Sequence, residues 1–195
     1  MAVRALVAED ERLIALALCS RLQSQGYDVV GIARTGTEVL DLVLGASPPI
    51  VLMNVRMPEM DGIEATRVLM LANPACVVIV SASREPSQIE QAERAGAMDY
   101  IVKPFEAHQM RPVLGRAQRR FERFVAIRAR VGDPHQALEI WLAVRRAVEV
   151  LKATERISED QAHHQLERRA AERGLSLRAV AEDLAGPSPG PNGST

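Results

Sequence analysis

Apolar residues in the first half of the chain follow two alternating rhythms. Short β-branched runs stand at Arg4–Val7, Val29–Ile32, Ile50–Met53, Val77–Val80 and Met98–Val102. Between them apolar residues recur at three- and four-residue spacing. Leu13, Leu16 and Leu22 form one such set, Val39, Leu40, Val43 and Leu44 a second, and Ile63, Ala65, Val68 and Leu69 a third. Strand and helix rhythms in alternation predict βαβ units, and therefore an α/β fold with a doubly wound parallel sheet. Five strands and five helices fit within residues 1–110. The unbroken apolar run Val77–Val80 suits a strand covered on both faces. Gly26, Pro48–Pro49 and Asn73–Pro74 mark the ends of successive helices.

From Phe105 onward the rhythm is wholly helical. Val113, Ala117, Phe121, Phe124 and Arg128 fall on one face of a helix otherwise rich in arginine. Gly132–Asp133–Pro134 reads as a helix stop, an N-cap and an N1 proline. In the next helix Ala137, Trp141, Val144, Val148 and Leu151 are spaced 4, 3, 4, 3. That spacing fits a heptad seam for pairing with another helix, and equally an ordinary core-facing stripe. Ser158 with Gln161 three residues on forms a capping box. The helix it opens carries Ala162, Leu166 and Ala170 and stops at Gly174. Ser176 caps a last short helix with Leu177, Val180, Ala181 and Leu184. Residues 186–195 hold only Gly, Pro, Ser, Asn and Thr, which predicts a disordered tail. Residues 111–133 are expected as a linking basic helix, and 134–185 as a small all-α module of three helices. So small a module needs the linking helix or another chain to complete its core.

Charge divides the chain in the same place. Residues 1–110 carry 9 basic and 14 acidic side chains, and residues 111–195 carry 15 and 11. The segment 111–130 has seven arginines against Glu122 alone. Halves of opposite sign suggest two modules with different tasks, and the basic one is compatible with nucleic acid. No run approaches the roughly 18 apolar residues that cross a bilayer. The N-terminal stretch turns acidic at Glu9, too early for a secretory leader. A cytoplasmic protein without membrane contact is expected. Cys19 and Cys76 sit among apolar residues and read as buried free thiols.

Particular segments narrow the reading. Glu9–Asp10 close the first strand, VLMNVRMPEMDG spans 51–62, Ser81 opens SAS, and AGAMDYIVKPF spans 95–105 with Tyr100, Lys103 and Pro104. In this order and spacing they resemble the receiver domain of bacterial response regulators over about the first 110 residues. The resemblance implies a flavodoxin-like, five-stranded doubly wound parallel sheet. It places Glu9, Asp10, Asn54, Ser81 and Lys103 in one pocket at the carboxyl ends of strands, with Ser81 and Tyr100 as the switch pair. Tyr100 fits a packed edge residue equally well, and His108 reads as a surface residue.

Asn54 departs from the family, which has a phosphate-accepting aspartate there. An amide is neutral and a poor nucleophile, so no acyl phosphate can form on it. One anionic ligand is also lost, which leaves Glu9 and Asp10 as a weak magnesium site at best. The Asn54 NH2 can instead donate to Glu9 or Asp10, and Lys103 can supply counter-charge. Both a natural receiver that works without phosphorylation and a deliberate replacement of an aspartate fit this residue. No catalytic residue is expected, nor any cofactor beyond weakly held Mg2+.

The second half carries ISEDQAHHQLERRAAERGLSLRAVAEDL, residues 157–184. It resembles the ANTAR domain, the three-helix RNA-binding output domain of some response regulators. The family's Ala-Lys-Gly motif is here Ala147–Val148–Glu149, its aromatic position is His163, and a glycine before the second helix is replaced by Arg156. The resemblance implies binding of stem-loops in leader transcripts and prevention of termination. Arg145, Arg146, Arg168, Arg169, Arg173 and Arg178 are the residues expected to neutralise RNA phosphates, unless they form a solvated face paired with nearby glutamates. Phe121, Phe124, Trp141, Val144 and Leu151 are expected to form the face of a homodimer. The leading expectation is thus a transcription antitermination regulator that binds structured RNA through one module and carries an atypical receiver as the other. The alternative is a protein-interaction module that sequesters a sensor protein without binding RNA. A DNA-binding regulator ranks lower for want of a helix-turn-helix signal.

Overall fold

The β-branched runs become five parallel strands in the order β2-β1-β3-β4-β5. They are β1 (Val3–Ala8), β2 (Tyr27–Ala33), β3 (Ile50–Asn54), β4 (Cys76–Ser81) and β5 (Asp99–Val102). The structure, a computed structural model, describes residues 2–46 and 50–186. The expected break at Pro48–Pro49 and the expected tail beyond Gly186 lie outside the described residues. The helices between the strands are α1 (Arg12–Ser24), α2 (Gly36–Ala46), α3 (Gly62–Ala72) and α4 (Pro86–Ala95). β1 pairs in parallel with both β2 and β3, so the strand order reverses direction at β1 and β3. Such a reversal opens a crevice at the carboxyl ends of those two strands. Every residue of β4 is buried, as its continuous apolar run predicts. One face of the sheet contributes Leu6, Val51, Met53, Val77 and Ile79 to a core closed by Val39, Val43, Ala65 and Leu69.

Helix α5 (Ala107–Val131) follows β5. Its buried side chains are Met110, Leu114, Ala117, Arg120 and Phe124. The predicted face is therefore corrected at two positions. Val113 and Phe121 are only half-buried, and Arg120 occupies the inward position that Phe121 was expected to take. An arginine is tolerated there because Arg120 Nη1 donates to the Met98 carbonyl at 2.9 Å and lies 3.6 Å from Asp99 Oδ2. Arg116 Nε reaches the same carboxylate oxygen at 2.6 Å. Part of the arginine excess in 111–130 thus answers Asp99.

The chain divides into two compact units, Met1–Ala126 and Ile127–Thr195, with the division falling inside α5. In the second unit α6 (Pro134–Glu155), α7 (Glu159–Arg173) and α8 (Leu177–Ala185) follow the predicted punctuation. The Asp133 side chain caps α6 by accepting from the Gln136 N–H. Both halves of the Ser158–Gln161 capping box are present, and Gly174 ends α7 in the left-handed region. Val144, Ala147, Val148 and Leu151 of α6 bury against Ala162 and Leu166 of α7 and Val180 and Ala181 of α8. The stripe read as a dimer seam is thereby corrected, because Val144 and Leu151 are consumed by the core of their own module. Trp141 and Phe124 are also fully buried within the single chain, stacking on His163 and Phe121 respectively. Among the five residues assigned to a dimer face, only Phe121 retains partial exposure.

Candidate functional site

The crevice between β1 and β3 gathers the polar residues. Glu9 and Asp10 follow β1 directly, and Asn54 is the last residue of β3. Gly62 fixes the height of Asn54. Its N–H bonds to the Val55 carbonyl at 2.8 Å, and a Cβ on it would stand 2.0 Å from the Asn54 carbonyl oxygen. No other residue type fits so close to that backbone. Lys103 arrives from the end of β5, where its N–H bonds to the Ser81 carbonyl at 2.7 Å. The Lys103–Pro104 peptide is cis.

These side chains satisfy one another. Asn54 Nδ2 donates to Glu9 Oε1 at 3.2 Å, to Asp10 Oδ1 at 3.1 Å and to the Arg56 carbonyl at 2.8 Å. Lys103 Nζ donates to Glu9 Oε2 at 2.6 Å and lies 3.4 Å from Asn54 Oδ1. The Glu9 side chain is fully buried, and Lys103 is only 18% exposed. Burial raises the Glu9 carboxyl above its ordinary value, and the bond and charge of Lys103 pull it back down. The amide and the ammonium together surround Glu9 with donors, which is what a buried carboxylate requires.

Magnesium does not fit these residues. A hard divalent ion needs oxygen acceptors turned toward it, and here Glu9 and Asp10 both accept from the Asn54 amide. The Asn54 amide hydrogens occupy the space between them. Among the described residues no group of three or more His, Cys, Asp or Glu could hold a metal ion. The weak Mg2+ site expected from Glu9 and Asp10 would have to displace the Asn54 amide that bonds to both.

The Ser81 hydroxyl bonds away from these side chains, although the Ser81 carbonyl accepts the Lys103 N–H. Ser81 is buried, its hydroxyl donates to Gln88 Oε1 at 3.2 Å, and it accepts the Ser83 N–H at 3.2 Å. The Tyr100 hydroxyl lies 3.0 Å from the Ser83 carbonyl and 3.1 Å from the same Gln88 oxygen. Ser81 and Tyr100, the switch pair, are thus joined through Gln88 of α4. Nothing in the sequence pointed to Gln88, because a glutamine in the first turn of a helix carries no signal of its own. His108 is exposed, as expected. Cys19 and Cys76 are buried free thiols, and burial pushes both thiols up.

In the second unit the arginines expected to meet phosphate already meet carboxylates. Arg169 pairs with Glu155 at 2.9 Å and Arg173 with Asp183 at 2.7 Å. Arg178 bonds to Glu182 at 2.8 Å and reaches Glu139 at 3.1 Å, and the bond to Glu182 first of all raises its pKa above the ordinary arginine value. Arg168 lies 3.7 Å from Glu172 and is well exposed. Arg145 and Arg146 are half-buried and have partners within the chain. Val148 belongs to the core cluster, so the lysine missing there is not replaced by a surface group.

A family model described as the response regulator receiver domain matches residues 5–114, and one described as the ANTAR domain matches residues 135–184. The transcriptional regulatory protein PdtaR of Mycobacterium tuberculosis is 35% identical over 179 residues, which cover 92% of this chain and 87% of that protein. The chemotaxis protein CheY of Thermotoga maritima is 32% identical over 120 residues, 61% of this chain and 100% of that protein. Among solved structures, the response regulator domain of Thermotoga maritima CheB has a TM-score of 0.54 at 31% identity, covering 61% of this chain and 95% of that one.

Proposed function

The chain belongs to the response regulators that join a receiver domain to an ANTAR domain, and from that premise we propose that it is a transcription antitermination regulator whose receiver works without its own phosphorylation. The observation that carries the receiver half is the Asn54 amide, bonded to both Glu9 and Asp10 in the place of an acceptor carboxylate. An amide there gives no acyl phosphate, and Lys103 is already engaged with Glu9. Lys103 offsets the Glu9 charge and the Asn54 amide donates to both carboxylates, so on this reading the input is a protein partner such as a sensor rather than phosphoryl transfer. The output is binding of stem-loop RNA through α6, α7 and α8, recognised by shape and backbone. The carboxylate partners of Arg169, Arg173 and Arg178 do not forbid this. Exposed pairs are worth only about 0–1 kcal/mol each, and a phosphate can displace them.

The same pairing favours a second reading, in which the module has lost RNA and the chain only sequesters a partner. Gel-shift titration of the full chain with an RNA of two short hairpins separates the two. Preference over an unstructured RNA of equal length is expected, and equal binding to both would favour sequestration. For the receiver, intact mass after incubation with a small phosphodonor and magnesium is expected to stay unchanged. A hydroxylamine-labile gain of one phosphoryl group would overturn that half of the proposal.

A further inference from the structure

Several cations of the unit Ile127–Thr195 have a partner within it. Lys152 pairs with Glu149 at 2.8 Å, and Arg169, Arg173 and Arg178 are held by the carboxylates already described. Arg156 combines three features. Its side chain is exposed. Among the described residues nothing bonds or pairs with its guanidinium. Its backbone is left-handed, with φ 55° and ψ 38°, a conformation that a Cβ disfavours and glycine adopts freely. The end of α6 is satisfied without this side chain, since the Arg156 N–H bonds to the Lys152 carbonyl at 3.1 Å. An arginine here strains the α6–α7 turn, and its side chain returns no hydrogen bond or ion pair among the described residues.

We propose that Arg156 is a phosphate-contacting residue, presented by the α6–α7 turn to the backbone of the bound RNA. This rests on the RNA reading above. A guanidinium with no partner engages a phosphate in two parallel bonds without first breaking an ion pair, which Arg169, Arg173 and Arg178 must do. The acids beside it do not occupy it. Glu155 is taken by Arg169 and by Gln165 at 2.7 Å, and Glu159 and Asp160 have other partners. The strain at the turn and the unpaired charge thus have one account. The chain holds a cation there because something outside the chain uses it.

The test is fluorescence anisotropy of a labelled two-hairpin RNA titrated with the full chain between about 50 and 200 mM salt. Wild type is compared with Arg156→Gly, Arg156→Lys and Arg130→Gln, the last removing another exposed cation that has no partner among the described residues. Arg156→Gly is expected to bind several-fold more weakly, and its slope of log affinity against log salt should fall by about 0.7 to 0.9, the value of one phosphate. The same variant should melt higher than wild type, so the loss cannot be ascribed to unfolding. Arg156→Lys should keep the wild-type slope. Wild-type affinity and slope in Arg156→Gly would overturn the proposal, as would an equal loss in Arg130→Gln, which would mark general attraction of charge. If the wild type itself does not distinguish hairpin from unstructured RNA, the RNA reading falls first and Arg156 falls with it.

Discussion

Lys103 supplies the positive charge beside the buried Glu9 carboxylate. Removing one partner of a buried ion pair costs about 3–5 kcal/mol, because the other is left desolvated and unpaired. Lys103→Met is therefore expected to destabilise the receiver by that order in denaturant melts, and its deficit should depend on pH. Burial raises the Glu9 carboxyl in the folded state. The folded state then holds the proton more tightly than the unfolded chain, so this contribution to stability is complete below about pH 4.5 and is lost as pH rises through the raised value. Without Lys103 the folded value rises further and the loss deepens toward neutral pH. A deficit that is flat from pH 4 to 8 would refute this account. Asn54→Asp makes the complementary test. A third carboxylate should lower the melting temperature in chelator and recover it in millimolar magnesium, while the wild type ignores the ion. The pocket of Glu9, Asp10, Asn54, Ser81 and Lys103 was expected from the resemblance to receiver domains, whose strand ends converge at one crevice, although the Ser81 hydroxyl bonds to Gln88 instead. Gln88 and Asp99 were not legible in the sequence. Each acts through a side chain whose partners lie on other elements, Tyr100 and Ser81 for one and Arg116 and Arg120 for the other, and one-dimensional spacing carries no trace of such contacts.

Among the elements, strands and caps followed the sequence closely, because they depend on local chemistry: β-branched runs, Ser158 with Gln161, and glycine at Gly174. Helix faces were harder to read. In α5 the inward stripe passes through Arg120 and leaves Phe121 half-exposed, and only Asp99 and the Met98 carbonyl make that choice sensible. In α6 the spacing of Val144, Val148 and Leu151 could not say whether the partner helix lies in the same chain. It does, in α7 and α8. Leu151→Ala is thus expected to destabilise the helical module by about 2–5 kcal/mol and to reduce its thermal stability by circular dichroism. If the variant melts like wild type, the core assigned to α6, α7 and α8 is wrong. His163, set beside Trp141 at a ring separation of 6.5 Å, is the buried polar member of this module. Its position after Ala162 was legible only through the family's aromatic preference.

At the scale of the molecule, the burial of Trp141, Val144 and Leu151 separates stability from assembly. Trp141→Ala should cost about 3–5 kcal/mol of folding stability and leave the sedimentation mass unchanged under conditions where the chain stays folded. A change of mass without a change of melting temperature would restore the dimer-face reading. The larger apolar side chains left exposed include Leu13, Leu16, Leu44, Val125 and Leu175. Among the described residues no helix is long and apolar enough to cross a membrane. The Asn54 amide also has a consequence in time. An acyl phosphate is a clock, since hydrolysis ends the signal at a rate written into the active site. An amide hydrogen-bonded to Glu9 and Asp10 does not hydrolyse on that schedule. If the proposed reading holds, a regulator built on it would carry no such internal timer. On the proposed reading its response would last as long as its partner stays bound, and how quickly it stops would be set by dissociation and by turnover of the protein.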